Sequence, residues 1–138
     1  MKFKFVETLQ QTATHDILIS ELFINELQKQ FGSNFSYKPL CKEVTEYVCN
    51  KFSNVKGLYN NVIVCSYTEE DGLTPISVNG HCVVIFENKI YDYTSNQYAH
   101  YPNIEESVCP RVLEHNEELS SIVGKCYSCG TYVIITEG

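Results

Sequence analysis

The chain has 138 residues, 43% of them hydrophobic and 20% charged, and this length and apolar content predict one folded domain over residues 1–138 rather than a disordered chain. Its formal net charge of −7 at pH 7 repels phosphate groups and argues against nucleic acid as a partner. The N-terminal residues lack a continuous apolar segment of the secretory kind, and no later segment approaches the roughly 18 to 20 apolar residues of a membrane span, so we expect a protein that is neither secreted nor inserted in a membrane.

Two helices are predicted in the N-terminal part. The segment "DILISELFINELQKQFG" has apolar residues mostly at helical spacing, with Asp16 as the N-cap and Gly32 after the last turn, which predicts a first helix over residues 16–31. The segment "KPLCKEVTEYVCNKF" has a second apolar stripe and a proline suited to a first helical turn, which predicts a second helix over residues 39–52. Cys41 falls in the first turn of this second helix.

From residue 61 onward the apolar residues follow a period of two. Short runs rich in β-branched and aromatic residues, "NVIVCSY", "HCVVIF", "KIYDY" and "TYVIIT", are separated by turn formers, which predicts a largely antiparallel sheet. The segment over residues 95–125 is less regular, with one extended piece near "SVCPRVLE" and no clear helix. We therefore expect an α+β protein in which N-terminal helices pack on an antiparallel β-sheet.

The number and positions of the cysteines indicate the redox state of the compartment in which the protein lies. There are seven of them, an odd number, and several lie inside helical or strand patterns rather than in loops. Structural disulfides more often join loops, and an odd number leaves one thiol over. The pattern favours reduced thiols in a cytoplasmic, reducing compartment over an oxidised framework.

Cys41 has the position that most favours a nucleophile. A helix N-terminus carries unpaired amides and about half a positive charge, which favour a thiolate over a thiol and can stabilise an oxyanion. Cys49 lies two turns further along the same helix, beyond the range of this effect. The alternative for Cys41 is a small core residue, because free cysteine is among the most buried residue types.

The segment "NGHCVVIFENKIYDYTSNQY" predicts a hairpin that joins a histidine to an aspartate. A two-residue loop at residues 87–88 pairs Ile85 with Ile90. Side chains alternate along a strand and opposed residues share a face, so His81 and Asp92 become diagonal neighbours about 7 to 8 Å apart at the backbone. The loop position therefore decides whether the two side chains meet.

An imidazole held by an acid is what a cysteine nucleophile needs. A general base must keep one tautomer and one orientation, and an acidic group on its far nitrogen does this while stabilising the imidazolium. Cys41, His81 and Asp92 are then candidates for nucleophile, base and orienting acid. The alternative is a histidine at a strand start and an aspartate that caps a turn.

These residues together resemble the papain-like and transglutaminase-like cysteine protease superfamily, in particular its small bacterial and mobile-element domains. In that group, a cysteine at the start of a helix is followed by a strand that begins Gly-His and continues through valines, then by a Tyr-Asp-x-Thr strand and a nearby glutamine. The resemblance covers about residues 37–98, and its matching positions are Gly80, His81, Val83, Val84, Tyr91, Asp92, Thr94 and Gln97. It implies a papain-like fold for the single domain.

The resemblance also implies a thiol protease or related hydrolase with a catalytic triad of Cys41 as nucleophile, His81 as base and Asp92 as orienting acid. The implied chemistry is attack on an amide of a protein or peptide substrate through a thioester, resolved by water or an amine, as in a protease, a glutamine deamidase or a transglutaminase. This chemistry uses no cofactor. The candidates for oxyanion or substrate contacts are Asn34, Ser36 and Gln97. Many members use a glutamine upstream of the cysteine and have a tryptophan beside it, whereas the segment "SNFSYKPLC" offers Asn34, Ser36 or backbone amides and the chain has no tryptophan.

The pair of cysteines in "KCYSCG" is typical of a zinc site. Tetrahedral zinc needs four ligands, and the candidates are Cys109, His115, Cys126 and Cys129. The alternative is a pair of partly buried thiols that lead into the last strand. A zinc site of this kind belongs to the alternative function, a non-catalytic binding or inhibitor protein of the same fold.

Overall fold

The structure is a computed structural model that describes residues 13–67, 75–101, 104–130 and 132–136, with the backbone alone described at 60–67, 75–79 and 122–123. The helices are α1, described over residues 13–18, α2 (Glu21–Phe31), α3 (Cys41–Lys51) and α4 (Glu117–Val123). The strands are β1 (Lys56–Tyr67), β2 (Pro75–Phe86), β3 (Lys89–Asp92), β4 (Arg111–His115), β5 (Lys125–Cys129) and β6 (Tyr132–Thr136). Single 3-10 turns lie at Phe35–Tyr37 and Ser95–Tyr98.

The strands form one sheet in which every described pairing is antiparallel and each strand is next to its neighbour in sequence. The first strand also pairs with the last, with Val62 opposite Thr136 and Ser66 opposite Tyr132, so the sheet curls and closes on itself. The predicted α+β class and antiparallel sheet are confirmed. Within the described part of the chain, no helix combines the length and apolar character needed to cross a membrane.

The apolar core lies on both faces of this sheet. One part lies between the helices and the outer face and contains Leu18, Phe23, Leu27, Phe35, Val44, Val48, Val55, Val84, Phe86, Tyr91 and Tyr93. The other part lies inside the closed sheet and contains Val83, Ile90, Tyr98, Ile104, Leu113, Tyr127, Tyr132 and Ile134. Side chains alternate along a strand, so Val83 faces the interior of the sheet whereas Val84 faces the helices.

The hairpin between β2 and β3 has the predicted register. Phe86 pairs with Lys89 and Ile85 with Ile90, which leaves Glu87 and Asn88 as a two-residue turn. Glu87 takes the left-handed backbone conformation, with φ of 58°, as two-residue hairpin turns require.

The predicted first helix over residues 16–31 is wrong as a single element. Asp16 lies within α1 rather than at a cap, and α2 begins only after Ser20, whose backbone is extended and whose Oγ accepts a hydrogen bond from Phe23 N at 3.2 Å. A serine side chain that satisfies a first-turn amide favours a helix start at this position. The predicted end at Gly32 is confirmed, because this residue has φ of 100° and its N–H donates to Gln28 O at 2.8 Å.

We expect a Ser20→Ala substitution to lower the free energy of unfolding by about 1 kcal/mol, because the amide of Phe23 loses its cap. Urea denaturation at constant m-value measures this difference. Ser53→Ala is the matched control, since Ser53 is exposed in the turn after α3 and its loss is expected to change stability by less than about 0.5 kcal/mol. Equal midpoints for the two variants would show that Ser20 does not stabilise the break between α1 and α2.

Residues 95–125 contain more structure than the pattern predicts. The extended piece near 107–114 corresponds to β4, but the helix α4 was not predicted. Asn116 caps it by accepting a hydrogen bond from Leu119 N at 2.9 Å, and Gly124 ends it with φ of 108°. The Asn-Glu-Glu start and the following glycine are the local signal for this short helix.

Candidate active site

Cys41 is the first residue of α3, so its predicted place in the first turn is confirmed, although the helix begins after Pro39 rather than at it. The preceding residue, Leu40, gives the helix no side-chain cap. The first-turn amides therefore donate no hydrogen bond to the N-cap side chain. Val44 and Val48 are buried against the sheet and fix the helix, while the Cys41 side chain is half-buried.

His81 and Asp92 are in contact, as the hairpin register predicts. His81 Nε2 lies 2.8 Å from Asp92 Oδ2, and neither side chain is accessible to solvent. The carboxylate is held by two further donors, Thr94 N at 3.1 Å from Oδ1 and Tyr132 Oη at 2.5 Å from Oδ2. Three hydrogen bonds therefore fix the carboxylate, which in turn fixes the plane of the imidazole.

His81 and Cys41 interact, and each shifts the pKa of the other. Because Nε2 is engaged by Asp92, Nδ1 is the ring nitrogen left for the thiol. Tyr98 Oη also lies 3.1 Å from Nδ1 and 3.2 Å from Gly80 O, and its ring meets the imidazole edge to face at 5.0 Å. Tyr98 packs beside the imidazole and offers an alternative partner on the nitrogen that serves the thiol.

The electrostatics of the pair favour a charged thiol. Partial burial raises the pKa of the Cys41 thiol, but the hydrogen bond and charge of His81 and hydrogen bonds from Cys82 lower it, and the pKa lies below its ordinary value. Burial alone lowers the pKa of His81, whereas the charge and hydrogen bond of Asp92, followed by those of Cys41, raise it to about 9. Both shifts favour the charged forms, a thiolate beside an imidazolium.

Two other thiols have a raised pKa. Burial raises the pKa of Cys49, although a hydrogen bond with Tyr59 opposes the shift. Burial, with the negative charge of Asp92, raises the pKa of Cys109 to about 12. Cys41 therefore differs in reactivity from these two partly buried cysteines.

In a Cys41→Ala variant, we expect stability to fall as the pH rises from about 6.5 towards 9. Asp92 keeps the pKa of folded His81 above its ordinary value, so the stabilisation is complete below the unfolded pKa of about 6.5 and is lost as the pH rises through the folded pKa. The variant is needed because the lowered pKa of Cys41 opposes this dependence in the wild type. Urea midpoints at three pH values measure the effect.

The control for this titration is Cys41→Ala combined with Asp92→Asn, which removes the carboxylate charge that raises the pKa of His81. We expect the stability of this double variant not to fall as the pH rises. A Cys41→Ala protein that is equally stable at all three pH values would contradict an imidazolium held by Asp92.

The three predicted oxyanion or substrate residues lie in two adjacent 3-10 turns. Asn34 is exposed and precedes the first turn. Ser36 Oγ accepts a hydrogen bond from Asn96 Nδ2 at 3.4 Å, which links the two turns. Gln97 Nε2 donates to Thr94 Oγ1 at 3.0 Å, within its own turn. Among the contacts of the described residues, none joins these three to Cys41.

The structure does not bring the four predicted zinc ligands together. Cys126 is buried and Cys129 is exposed, because residues three apart in a strand face opposite sides of the sheet. Cys109 Sγ donates to Tyr93 O at 3.3 Å, and His115 Nε2 lies 3.1 Å from Ser120 Oγ. In the described part of the chain, no three His, Cys, Asp or Glu residues are grouped to hold a metal ion.

Sequence reasoning missed Tyr98, Tyr132 and Cys82 as parts of the site. Tyr132 is 40 positions from Asp92, and no local period links the two residues. Cys82 follows His81 directly in the sequence, and this adjacency could have identified it as a residue near the site.

Comparison of the chain with protein-family models, with curated proteins and with solved structures finds no match in any of the three. The chemistry of the site therefore has to be inferred from the contacts of Cys41, His81 and Asp92.

Proposed function

We propose that the protein is a cysteine-dependent hydrolase or acyltransferase that acts on peptide bonds or side-chain amides, with Cys41, His81 and Asp92 as its catalytic triad. The observation that carries this proposal is that the imidazole of His81 lies between two partners, Asp92 and Cys41. Nε2 is held by Asp92 at 2.8 Å, which leaves Nδ1 for the thiol at the start of α3, and His81 lowers the pKa of that thiol. A base oriented by an acid and placed on a nucleophile is the arrangement that acyl transfer requires.

In the first half of the reaction, the Cys41 thiolate attacks the amide carbonyl carbon. A C–S bond forms and the carbonyl electrons move to oxygen, where the first-turn amides of α3 stabilise the negative charge. The C–N bond then breaks, and His81 Nδ1 gives its proton to the leaving amine. The product is a thioester on Cys41.

In the second half, His81 Nδ1 takes a proton from water or from an acceptor amine. The activated oxygen or nitrogen attacks the thioester, the C–S bond breaks, and Cys41 leaves as a thiolate. Water gives hydrolysis, as in a protease or deamidase, and an amine gives acyl transfer. Asp92 keeps the imidazole in one orientation during both proton transfers.

The architecture supports a papain-like assignment as part of the same proposal. A helix that begins with the cysteine packs on an antiparallel sheet that carries the histidine and the aspartate. This is the arrangement that the resemblance to the papain-like superfamily implies. A reactive thiolate is susceptible to oxidation, so a cytoplasmic, reducing compartment would keep it active.

Iodoacetamide labelling of the native protein between about pH 5 and 9 tests the proposal, with the labelled cysteine assigned by mass spectrometry. We expect Cys41 to react first and well below the unperturbed thiol pKa of about 8.5. Cys129 is the internal control because, among the cysteines whose side chains the structure describes, it is the exposed one. Labelling that follows exposure, with Cys129 fastest and Cys41 unreactive, would contradict the enzyme and favour a non-catalytic binding protein.

A further inference from the structure

A second thiol lies against the proposed nucleophile. Cys82 is next to His81 in β2, and alternation along the strand directs it to the face that carries Val84, on which α3 packs. Both the backbone N–H and the thiol of Cys82 act on the thiol of Cys41 and lower its pKa. Cys82 is half-buried, as is Cys41, and the amide chemistry described above does not require its thiol.

This contact meets the main requirement for a disulfide. Two cysteines can be bridged when their backbones are close and their Cβ–Sγ bonds can turn towards each other. The start of α3 lies against β2, and the thiol of Cys82 acts on that of Cys41. The neighbouring thiols have other partners, since Cys49 bonds with Tyr59 and Cys109 donates to Tyr93 O. Of the described cysteines, Cys82 is the one that acts on the thiol of Cys41.

We propose that Cys41 and Cys82 form a reversible disulfide when the protein meets a hydroperoxide, which switches off the nucleophile and protects it from irreversible oxidation. This inference rests on the proposed function, because it concerns regulation of the same nucleophile. Both sulfurs are reduced in the structure, which is the active form.

The first step oxidises Cys41. Its thiolate sulfur attacks one oxygen of hydrogen peroxide, a S–O bond forms and the O–O bond breaks. The hydroxide that leaves takes a proton from His81 and becomes water. Cys41 is now a sulfenic acid, which further peroxide would convert to a sulfinic acid that thiols do not reduce.

The second step joins the two residues. The Cys82 sulfur loses its proton and attacks the Cys41 sulfur, so that a S–S bond forms, the S–O bond breaks and the hydroxyl group leaves with the proton as water. In total, two thiols and one hydrogen peroxide give one disulfide and two water molecules. A dithiol reductant restores both thiols by exchange.

The test treats the native protein with a small molar excess of hydrogen peroxide, blocks the remaining thiols, and maps peptides without reduction by mass spectrometry. We expect one linked pair of peptides containing Cys41 and Cys82, two hydrogens lighter than their sum. Dithiothreitol should remove the link and restore alkylation of Cys41. This measurement uses the wild-type chain, so it does not depend on a variant that folds.

Two variants test the role of Cys82. In Cys82→Ala, we expect the same peroxide treatment to convert Cys41 to sulfinic and sulfonic acids that dithiothreitol does not reverse. Cys49→Ala is the matched control, because Cys49 is also half-buried, and we expect it to form the Cys41–Cys82 link as the wild type does.

The outcomes separate this inference from the proposed function. Selective alkylation of Cys41 at low pH, together with a sulfinic acid and no link in the wild type, would overturn the disulfide while supporting the enzyme. A link from Cys41 to another cysteine would also overturn it. Absence of both selective alkylation and the link would overturn both proposals.

Discussion

Replacing His81 by alanine is expected to lower the alkylation rate of Cys41 at about pH 6 by on the order of tenfold or more, since each unit of thiol pKa changes the thiolate fraction tenfold at pH values below the pKa. His81 lowers the pKa of Cys41 through both its hydrogen bond and its charge. The variant removes both effects and leaves the partial burial that raises this pKa. Alkylation rates with iodoacetamide, resolved for each cysteine by mass spectrometry, measure the change.

Two further variants control this experiment. His115→Ala removes an exposed histidine and is expected to leave the rate at Cys41 unchanged. His81→Gln keeps a side chain of similar length that can hydrogen-bond to Asp92, so it retains more of the packing but not the positive charge, and we expect it to slow alkylation as alanine does. A rate at Cys41 that is the same in wild type and His81→Gln would show that no thiolate–imidazolium pair exists.

Replacing Asp92 by alanine is expected to lower the free energy of unfolding by about 3 to 5 kcal/mol, because removing one member of a buried, hydrogen-bonded charge pair leaves the other uncompensated. His81 loses its partner on Nε2, and Tyr132 loses the acceptor of its hydroxyl. Both side chains are buried, so water does not readily replace the carboxylate. Urea denaturation with a constant m-value measures the loss.

The control for this substitution is Asp16→Ala, because Asp16 is exposed on α1 and its loss is expected to change stability by less than about 0.5 kcal/mol. Asp92→Asn keeps the size and an acceptor oxygen, so we expect an intermediate loss. If Asp92→Ala unfolds at the same urea concentration as Asp16→Ala, the buried carboxylate does not hold the sheet and the site together.

The parts of the site that could be predicted from the sequence are those fixed by local geometry. A two-residue turn at Glu87 and Asn88 sets the register of β2 and β3, and alternation along the strands then decides that His81 and Asp92 share a face. The position of Cys41 at a helix start follows from the apolar stripe of the second helix. These inferences required only residues close in sequence, the helical spacing of apolar residues and the alternation of side chains along a strand.

The parts that could not be predicted depend on contacts between distant segments or on weak local signals. Pairing of β1 with β6 closes the sheet, and no pattern within either strand specifies the other. Tyr132 meets Asp92 only because of this closure. The break at Ser20 was missed because the apolar spacing continues across it, although serine is a favoured helix cap.

Closure of the sheet also determines when the site is complete during protein synthesis. Cys41, His81 and Asp92 all lie on elements that precede β4, but β6 supplies both the partner strand of β1 and the Tyr132 hydroxyl that holds Asp92. Pairing between segments so far apart in sequence forms late, because the entropy of the intervening chain has to be overcome first. A ribosome-bound chain in which β6 has not yet been synthesised therefore carries Cys41 and His81 without a fully held Asp92, and the proposed triad is complete only when this strand is in place.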